Sequence, residues 1–241
     1  MKSTVDEIRQ RFDADLERFS NLETGQSAAI DSPLAMALIA EAAAVTTPHA
    51  RHVLDVGCGA GNYTLKLLQD VPNLDVTLID LSRPMLDRAT ERIEKATAGR
   101  VTTIQGDIRE VELSDGQFDI VLAASTLHHL RADQEWRDVF AAIHRALRRG
   151  DSFWIFDMIE SPIAGIQQLM QRRYGEYLTR LKDVSYRDHV FAYIEKEDTP
   201  RPLLFQLDLF RQVGFAQVEV LHKNNCFAAF GALKSREILP I

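Results

Sequence analysis

The sequence predicts an α/β protein with a Rossmann-like, doubly wound sheet of seven strands, mostly parallel and ending in an antiparallel hairpin. Between residues 52 and 157, short β-rich runs alternate with segments of helical period, which is typical of a parallel sheet with crossover helices. Most of these runs are almost continuously apolar, as strands are when both faces of a sheet are covered. With 241 residues, 46% of them apolar, the chain can build a sizeable core.

Each element has its own local signal. Two N-terminal helices are predicted at 5–18 and 34–44. The parallel strands are predicted at 52–56, 75–80, 101–105, 118–123 and 153–157, and the helices between them at 62–69, 83–95 and 133–147. A polar and aromatic stretch after Ser161-Pro162 predicts a helical cap. A helix at 203–213, closed by Gly214, and strands at 217–222 and 226–233 complete the chain.

Composition excludes several classes of protein. The chain has 28 Lys and Arg against 35 Asp and Glu, a formal charge of −7, which argues against broad nucleic-acid binding. Its longest apolar run, residues 34–40, is far shorter than the roughly 20 residues of a membrane-spanning helix. No secretory signal begins the sequence, so a cytoplasmic protein is expected. Cys58 and Cys226 are expected to be free thiols, and no metal site is predicted.

The most informative motif follows the first strand. It reads Leu54-Asp55-Val56-Gly57-Cys58-Gly59-Ala60-Gly61-Asn62. Glycines between a strand and a helix let a ligand touch the backbone, because no Cβ intervenes. A dinucleotide fingerprint would need glycine in place of Asn62, and Asp55 suits its pyrophosphate poorly. The ammonium group of S-adenosylmethionine would instead gain from that carboxylate.

This motif resembles the first motif of the class I S-adenosylmethionine-dependent methyltransferases. Three further motifs, each at the end of a later strand, support the resemblance. Asp80 closes the second strand, 19 residues beyond Gly61, where relatives bind the ribose hydroxyls. Asp107 and Ile108 follow the third strand, where relatives clamp the adenine. The fourth strand and the loop after it, residues 118–130, border the methyl group in relatives. The resemblance implies S-adenosylmethionine as cofactor, S-adenosylhomocysteine as product, and these cofactor-binding residues: Asp55, Gly57, Cys58, Gly59, Asp80, Leu81, Met85, Asp107, Ile108 and Ala124.

The resemblance also divides the chain into four regions. Residues 1–48 form an N-terminal helical lid, in which 18–23 are expected to fold over the cofactor. Residues 49–160 form the cofactor-binding core, 161–202 an inserted helical cap, and 203–241 the helix and hairpin that complete the sheet. Homodimerisation through the aromatic cap is expected.

Methyl transfer needs alignment and exclusion of water, and a base only when the acceptor loses a proton. The candidate catalytic residues are His128, just past the fourth strand, and Asp157, at the end of the fifth. His129 is not expected to face the same way as His128, because adjacent residues at a helix start point apart. Tyr174 and Arg187 in the cap are the candidate contacts for a small-molecule acceptor.

Three other functions remain open at this point. The cap and the ending at 227–234 are similar to those of quinone-type C-methyltransferases and of carboxy-S-adenosylmethionine synthases. The first alternative is such a synthase, an enzyme that acts in tRNA wobble-uridine modification. A synthase would need an arginine for the added carboxylate, and Arg187 is the candidate. A non-catalytic module that binds the cofactor is the second alternative. An NAD-dependent oxidoreductase is the third, disfavoured by Asp55 and Asn62.

Overall fold

We analysed a computed structural model of the protein, which describes residues 2–14, 16, 20–21 and 26–236. These residues form eight α-helices: α1 (Val5–Ala14), α2 (Ser32–Thr46), α3 (Asn62–Asp70), α4 (Arg83–Ile93), α5 (Asp133–Ala146), α6 (Ala164–Leu181), α7 (Val184–Glu197) and α8 (Leu203–Val213). The strands are β1 (His52–Val56), β2 (Asp75–Asp80), β3 (Val101–Gln105), β4 (Phe118–Ala124), β5 (Leu147–Glu160), β6 (Arg201–Pro202), β7 (Phe215–Asn224) and β8 (Phe227–Lys234). A 3₁₀ turn, Leu127–His129, follows β4.

The strands form one twisted sheet in the order β3-β2-β1-β4-β5-β8-β7. Strands β1 to β5 pair in parallel, whereas β8 runs antiparallel to both β5 and β7. The predicted doubly wound topology with a terminal hairpin is therefore confirmed. The seven predicted strands make up this order, and two residues after the cap, Arg201–Pro202, add a short further strand, β6, which pairs with the end of β5.

Strand β5 begins earlier than the sequence predicts, at Leu147 instead of Phe153. Its pairing with β4 is irregular over these first residues. Phe118 pairs with Leu147 and Ile120 pairs with Ser152, so β4 advances two residues while β5 advances five. The residues between Leu147 and Ser152 therefore form an irregularity within the strand.

The core lies in two layers, one on each face of the sheet. Neighbouring strand residues alternate between them: Val53 and Trp154 face α2, α3 and α4, whereas Leu54 and Phe153 face α5 and α8. All four side chains are buried, which explains why these strands read as continuous apolar runs. This packing holds the carboxyl ends of the parallel strands in fixed positions.

The cap consists of α6 and α7, and the first N-terminal helix is α1. The lid predicted at 18–23 lies largely outside the described residues. Only its residues 20 and 21 are described. Within the part of the chain that is described, no helix is long and apolar enough to cross a membrane. Homodimerisation and a cytoplasmic location stay predictions.

Candidate active site

A cleft opens at the carboxyl edge of the parallel strands, and we call it the strand-end cleft. The chain leaves β1 towards β2 and returns through β4 on the other side, which opens a crevice beyond the carboxyl ends of β1 and β4. The cleft encloses about 1080 Å³, including space open to solvent. Its walls come from the ends of β1 to β4, the turns that follow them, and α1.

The glycine-rich turn after β1 presents bare backbone to this cleft. At Gly57 the backbone has φ of +64°, and a Cβ there would lie 2.1 Å from Oγ1 of Thr126. At Gly59, with φ of +50°, a Cβ would meet nothing within 4 Å, so the left-handed backbone alone favours glycine. The Cys58 amide donates to the carbonyl of Ile79 over 3.0 Å, which ties the turn to β2.

Asp55 lies beneath the turn and is almost completely buried. Its Oδ2 accepts a hydrogen bond of 2.7 Å from the Thr64 hydroxyl. Burial raises the pKa of Asp55 to about 7, and the bond from Thr64 offsets only part of that rise. A carboxylate in this position would gain strongly from a cationic group in the cleft.

Asp80 stands at the end of β2 and faces the same turn. Its two oxygens accept backbone hydrogen bonds of 2.8 Å each, one from Gly59 and one from Ser82. Burial raises the pKa of Asp80 to about 6, against the effect of those two N–H donors, which lower it. The Ser82 hydroxyl also accepts from the amide of Met85 over 3.3 Å, and so caps α4.

Asp107 follows β3 and lines the strand-end cleft. Its Oδ2 pairs with Nη2 of Arg109 at 2.5 Å, and Arg109 in turn pairs with Glu135 at 3.0 Å. Burial raises the pKa of Asp107, but the hydrogen bonds and charge of Arg109 outweigh it and hold the pKa below its ordinary value. Asp107 is therefore ionised at neutral pH, with Ile108 beside it in the cleft.

His128 and Asp157 form a buried pair next to this cleft. Nδ1 of His128 is hydrogen-bonded to Asp157, whose other partners include the amides of Leu127 at 2.8 Å and Met158 at 2.7 Å. Burial lowers the pKa of His128, but the charges of Asp157 and Asp198 outweigh it and raise the pKa to about 9. Asp157 is fully buried behind the ring, in the position of a residue that orients His128.

His129 turns the same way as His128, and the expectation that it would not is wrong. The rings of His128 and His129 lie 4.4 Å apart, because both turn towards Asp198, which follows α7. Oδ1 of Asp198 lies 3.7 Å from Nε2 of His128 and 3.4 Å from Nδ1 of His129. Burial, together with the charge of His128, holds the pKa of His129 well below its usual range.

A second cavity, which we call the cap pocket, opens beside the first. It encloses about 930 Å³, including space open to solvent, and lies between α1, α6, α7 and the ends of β4 and β5. Four residues line both cavities: Phe12, Gln26, Ser125 and His129. The two cavities therefore meet at one wall.

Ser125 has an unusual backbone conformation in this wall. It has φ of +54°, a left-handed conformation that is rare for a residue with a side chain. Its amide donates to the carbonyl of Phe156 over 2.8 Å, so the end of β5 holds it in place. Strained backbone of this kind clusters at functional sites.

Comparisons with known proteins agree with this geometry. Residues 53–150 match the methyltransferase domain family. A demethylmenaquinone methyltransferase of Listeria monocytogenes is 24% identical over 196 residues, which cover 77% of this chain and 79% of that protein. The structure of the S-adenosylmethionine-dependent methyltransferase SibL has a TM-score of 0.58 at 20% identity and covers 79% of this chain. This chain spans about half of SibL, 52% of its length.

Human N-acetylserotonin methyltransferase, solved in complex with S-adenosylmethionine, also shares the fold. Its TM-score is 0.58 at 17% identity, over 96% of this chain and 57% of the human one. Residues 53–150 therefore form a methyltransferase domain, of the class I, S-adenosylmethionine-dependent kind. Its cofactor is S-adenosylmethionine.

The strand-end cleft of this methyltransferase fits that cofactor. Asp55 is a buried carboxylate that lacks a cationic partner among the contacts described above, and the cofactor carries an ammonium group. At Gly59 the cleft has room beside bare backbone. The ten residues expected to bind the cofactor all line this cleft: Asp55, Gly57, Cys58, Gly59, Asp80, Leu81, Met85, Asp107, Ile108 and Ala124.

The two acceptor candidates in the cap of the methyltransferase have different positions. Tyr174 forms a wall of the cap pocket, and its hydroxyl donates to the carbonyl of Ala28 over 2.9 Å. Arg187 lies on α7 outside the lining of both cavities described here, with its guanidinium 2.7 Å from Asp188. The arginine that does line the cap pocket is Arg11 of α1.

Sequence reasoning missed several lining residues of this methyltransferase. Helix α1 contributes Val5, Ile8 and Phe12 to the strand-end cleft, and Arg131 lies beside them. The apolar spacing of α1 predicted a helix, but no local pattern indicates which distant strand ends that helix covers. The pair of adjacent histidines was visible in the sequence, but no local pattern indicates that both rings turn towards Asp198.

Proposed function

We propose that this methyltransferase transfers a methyl group to a small aromatic acceptor that carries a hydroxyl group and binds in the cap pocket. One observation carries the proposal: the cap pocket joins the strand-end cleft along a shared wall of four residues. An acceptor in the one cavity would face a cofactor in the other, which is the alignment that in-line displacement requires.

The cofactor would be held by the carboxyl ends of three strands. Asp55 would bind its ammonium group, Asp80 its ribose hydroxyls and Asp107 its adenine amine, with Ile108 packed on the ring. When bound, the cofactor supplies an electrophilic methyl group on a sulfonium. Helix α1 covers both cavities through Phe12, and this apolar cover would exclude water from the reacting atoms.

The lining of the cap pocket favours a planar, apolar acceptor. Its aromatic and thioether side chains are Phe12, Tyr174, Tyr186, Tyr193, Met158 and Phe227. Such walls suit a ring, because aromatic groups gain from stacked and edge-on contacts beyond their buried area. The relative from Listeria monocytogenes has a name that gives demethylmenaquinone as its acceptor, which agrees with a ring.

The charges in the pocket favour a neutral acceptor over an acid. The guanidinium of Arg11 is already paired with Glu197 at 2.9 Å and hydrogen-bonded to the Tyr193 hydroxyl at 2.5 Å. The polar end of the pocket consists of His128, His129 and Asp198. These groups would receive the hydroxyl of the acceptor, and Asp157 would act as a positioning residue by fixing the ring of His128.

An acceptor screen with deuteromethyl S-adenosylmethionine tests this proposal. Phenols, hydroxylated naphthoquinones, aromatic carboxylic acids and primary amines are each incubated with the protein, and the products are read by mass spectrometry. We expect label in the ring compounds with hydroxyl groups. Labelling confined to the acids or the amines would contradict the proposed acceptor class.

A variant pair locates the acceptor within the protein. Tyr186→Ala should raise KM for the acceptor and leave the Kd for S-adenosylhomocysteine unchanged, because Tyr186 lines the cap pocket and does not line the strand-end cleft. Val45→Ala is the matched control, since that side chain is 77% exposed on α2. Native mass spectrometry of the protein as purified addresses the synthase alternative, for which recovery of a carboxylated cofactor would be the support.

A further inference from the structure

Three side chains with metal-ligand chemistry meet at the polar end of the cap pocket. The ligand atoms of His128, His129 and Asp198 all lie within 4.8 Å of one another. Oδ1 of Asp198 is 3.7 Å from the nearer nitrogen of His128 and 3.4 Å from that of His129. Ligands that lie about 2.0–2.1 Å from a tetrahedral Zn²⁺ are about 3.4 Å apart, so the spacing is close to that of a metal site.

These polar atoms are buried without the partners that burial normally demands. Asp198 is 4% exposed, and its Oδ1 has no hydrogen-bond partner of ordinary geometry among the described residues. Both ring nitrogens of His129 are likewise buried without a hydrogen bond of ordinary geometry within that part of the chain, although Nδ1 lies 3.4 Å from Oδ1 of Asp198. Buried polar groups are almost always hydrogen-bonded or bound to a metal, so three orphaned atoms in one cluster indicate a missing ligand.

The surroundings of His128 are those of a metal-ligating histidine. Asp157 hydrogen-bonds Nδ1, which leaves Nε2 to face Asp198 and the pocket. Metal-ligating histidines generally bond their second nitrogen to a carboxylate or carbonyl, which fixes the ring and its tautomer. Asp157 is itself held by the amides of Leu127 and Met158.

The charge balance leaves room for a cation. Three buried carboxylates, Asp157, Glu197 and Asp198, lie around the two rings. The guanidinium of Arg11 faces the same cluster, but it is paired with Glu197 at 2.9 Å. Arg131 also reaches His129 electrostatically. Asp157 and Asp198 lie on either side of His128 and hold a proton on its ring, so a bound metal ion would take the place of that proton between the two carboxylates.

We propose that His128, His129 and Asp198 bind one divalent transition-metal ion at the wall between the two cavities. Two imidazoles with one carboxylate suit Zn²⁺, Fe²⁺ or Co²⁺, whereas Mg²⁺ and Ca²⁺ prefer oxygen ligands. Three protein ligands leave coordination positions open, and those positions face the cap pocket. An acceptor hydroxyl would occupy one of them, so the metal would orient the acceptor next to the cofactor.

Cobalt binding tests the site without any assay of activity. Protein stripped with a chelator is titrated with Co²⁺, and the visible absorption of the bound ion is recorded. We expect one equivalent of Co²⁺ to bind and to give the visible absorption of an ion with a low coordination number. His129→Ala and Asp198→Asn should each weaken binding at least about a hundred-fold, and Asp157→Asn about ten- to a hundred-fold. His189→Ala is the matched control, because His189 lines the same pocket outside the cluster and should leave binding unchanged.

Two further measurements make each outcome decisive. The Kd for S-adenosylhomocysteine reports whether a variant has folded, and it also separates failure of the metal site from failure of the cofactor site. Crystals soaked in Co²⁺ should give an anomalous peak bonded to all three side chains. Absence of that peak, or Co²⁺ binding that Asp198→Asn does not alter, would overturn the proposal.

Discussion

Lowering the pH from 7 to 5.5 should weaken cofactor binding through Asp55. The pKa of this carboxyl is raised to about 7 by burial, so it is about half ionised at pH 7 and about 3% ionised at pH 5.5. An ammonium group gains from the ionised form. If Asp55 binds that group, the Kd for S-adenosylhomocysteine should rise about fifteen-fold over this range.

Asp80 adds a smaller contribution of the same sign. Its pKa is raised to about 6, so its ionised fraction falls from about 90% to about 25% between the same two pH values. That change weakens binding by at most about four-fold. The amino group of the ligand has a pKa near 8 and stays protonated throughout, so it adds no dependence of its own.

Acid does not weaken the fold through Asp55. Because its native pKa lies above that of an unfolded aspartate, the native state binds the proton more tightly. The contribution of Asp55 to the free energy of unfolding is therefore fully present below about pH 4 and is lost as the pH rises through 7. A loss of affinity at pH 5.5 would thus report on the carboxylate in the cleft.

Isothermal titration calorimetry with S-adenosylhomocysteine at the two pH values is the assay, and Asp55→Asn is the control. The amide keeps the size of the side chain and can still accept from the Thr64 hydroxyl. We expect this variant to bind more weakly at pH 7 and to change by no more than the four-fold that Asp80 supplies. A wild-type Kd that changes less than about four-fold, or a variant that keeps the full dependence, would refute the role given to Asp55.

Three further changes have defined outcomes. Asp80→Ala should weaken S-adenosylhomocysteine binding by about 1–3 kcal/mol in calorimetry, because two ribose hydroxyls lose their acceptor, whereas the exposed Asp87→Ala on α4 should not. Gly57→Ala should lower the melting temperature more than Gly116→Ala, since both have positive φ but only Gly57 would clash, with Thr126; equal shifts would contradict this. Ser125→Gly should stabilise the fold by up to about 1 kcal/mol in denaturant unfolding by relieving the left-handed backbone, and a large loss would contradict strain there.

Much of the fold and the cofactor site follows from local sequence. An apolar run followed by a glycine turn, as at Gly57, predicts a strand and also marks its carboxyl end, where the cleft lies. Asp80 and Asp107 stand directly after their strands, so predicting those strands was enough to place both carboxylates at one edge of the sheet. The larger errors in the strands lie where pairing is irregular, in the first half of β5 and at β6, and β7 also extends two residues beyond its predicted bounds at each end.

The acceptor side could not be predicted in the same way, because its contacts join distant segments. Arg11 meets Glu197, and both histidines after β4 turn to Asp198, which follows the second helix of the cap. Neither pairing has a signature in the residues around it. For the same reason Arg187 looked like a pocket residue from the composition of the cap, whereas α7 pairs it with Asp188.

This difference has a physical origin in how the two cavities are built. The strand-end cleft rests on a parallel sheet that is buried on both faces, so its carboxylates are fixed by packing that any sequence of this fold must provide. The cap pocket is enclosed by α1, α6 and α7, whose positions depend on a few buried polar contacts such as that between Arg11 and Glu197. Substitutions in those helices can reshape the acceptor pocket and leave the strand ends intact. Acceptor choice should therefore change more readily than the cofactor in proteins built on this plan.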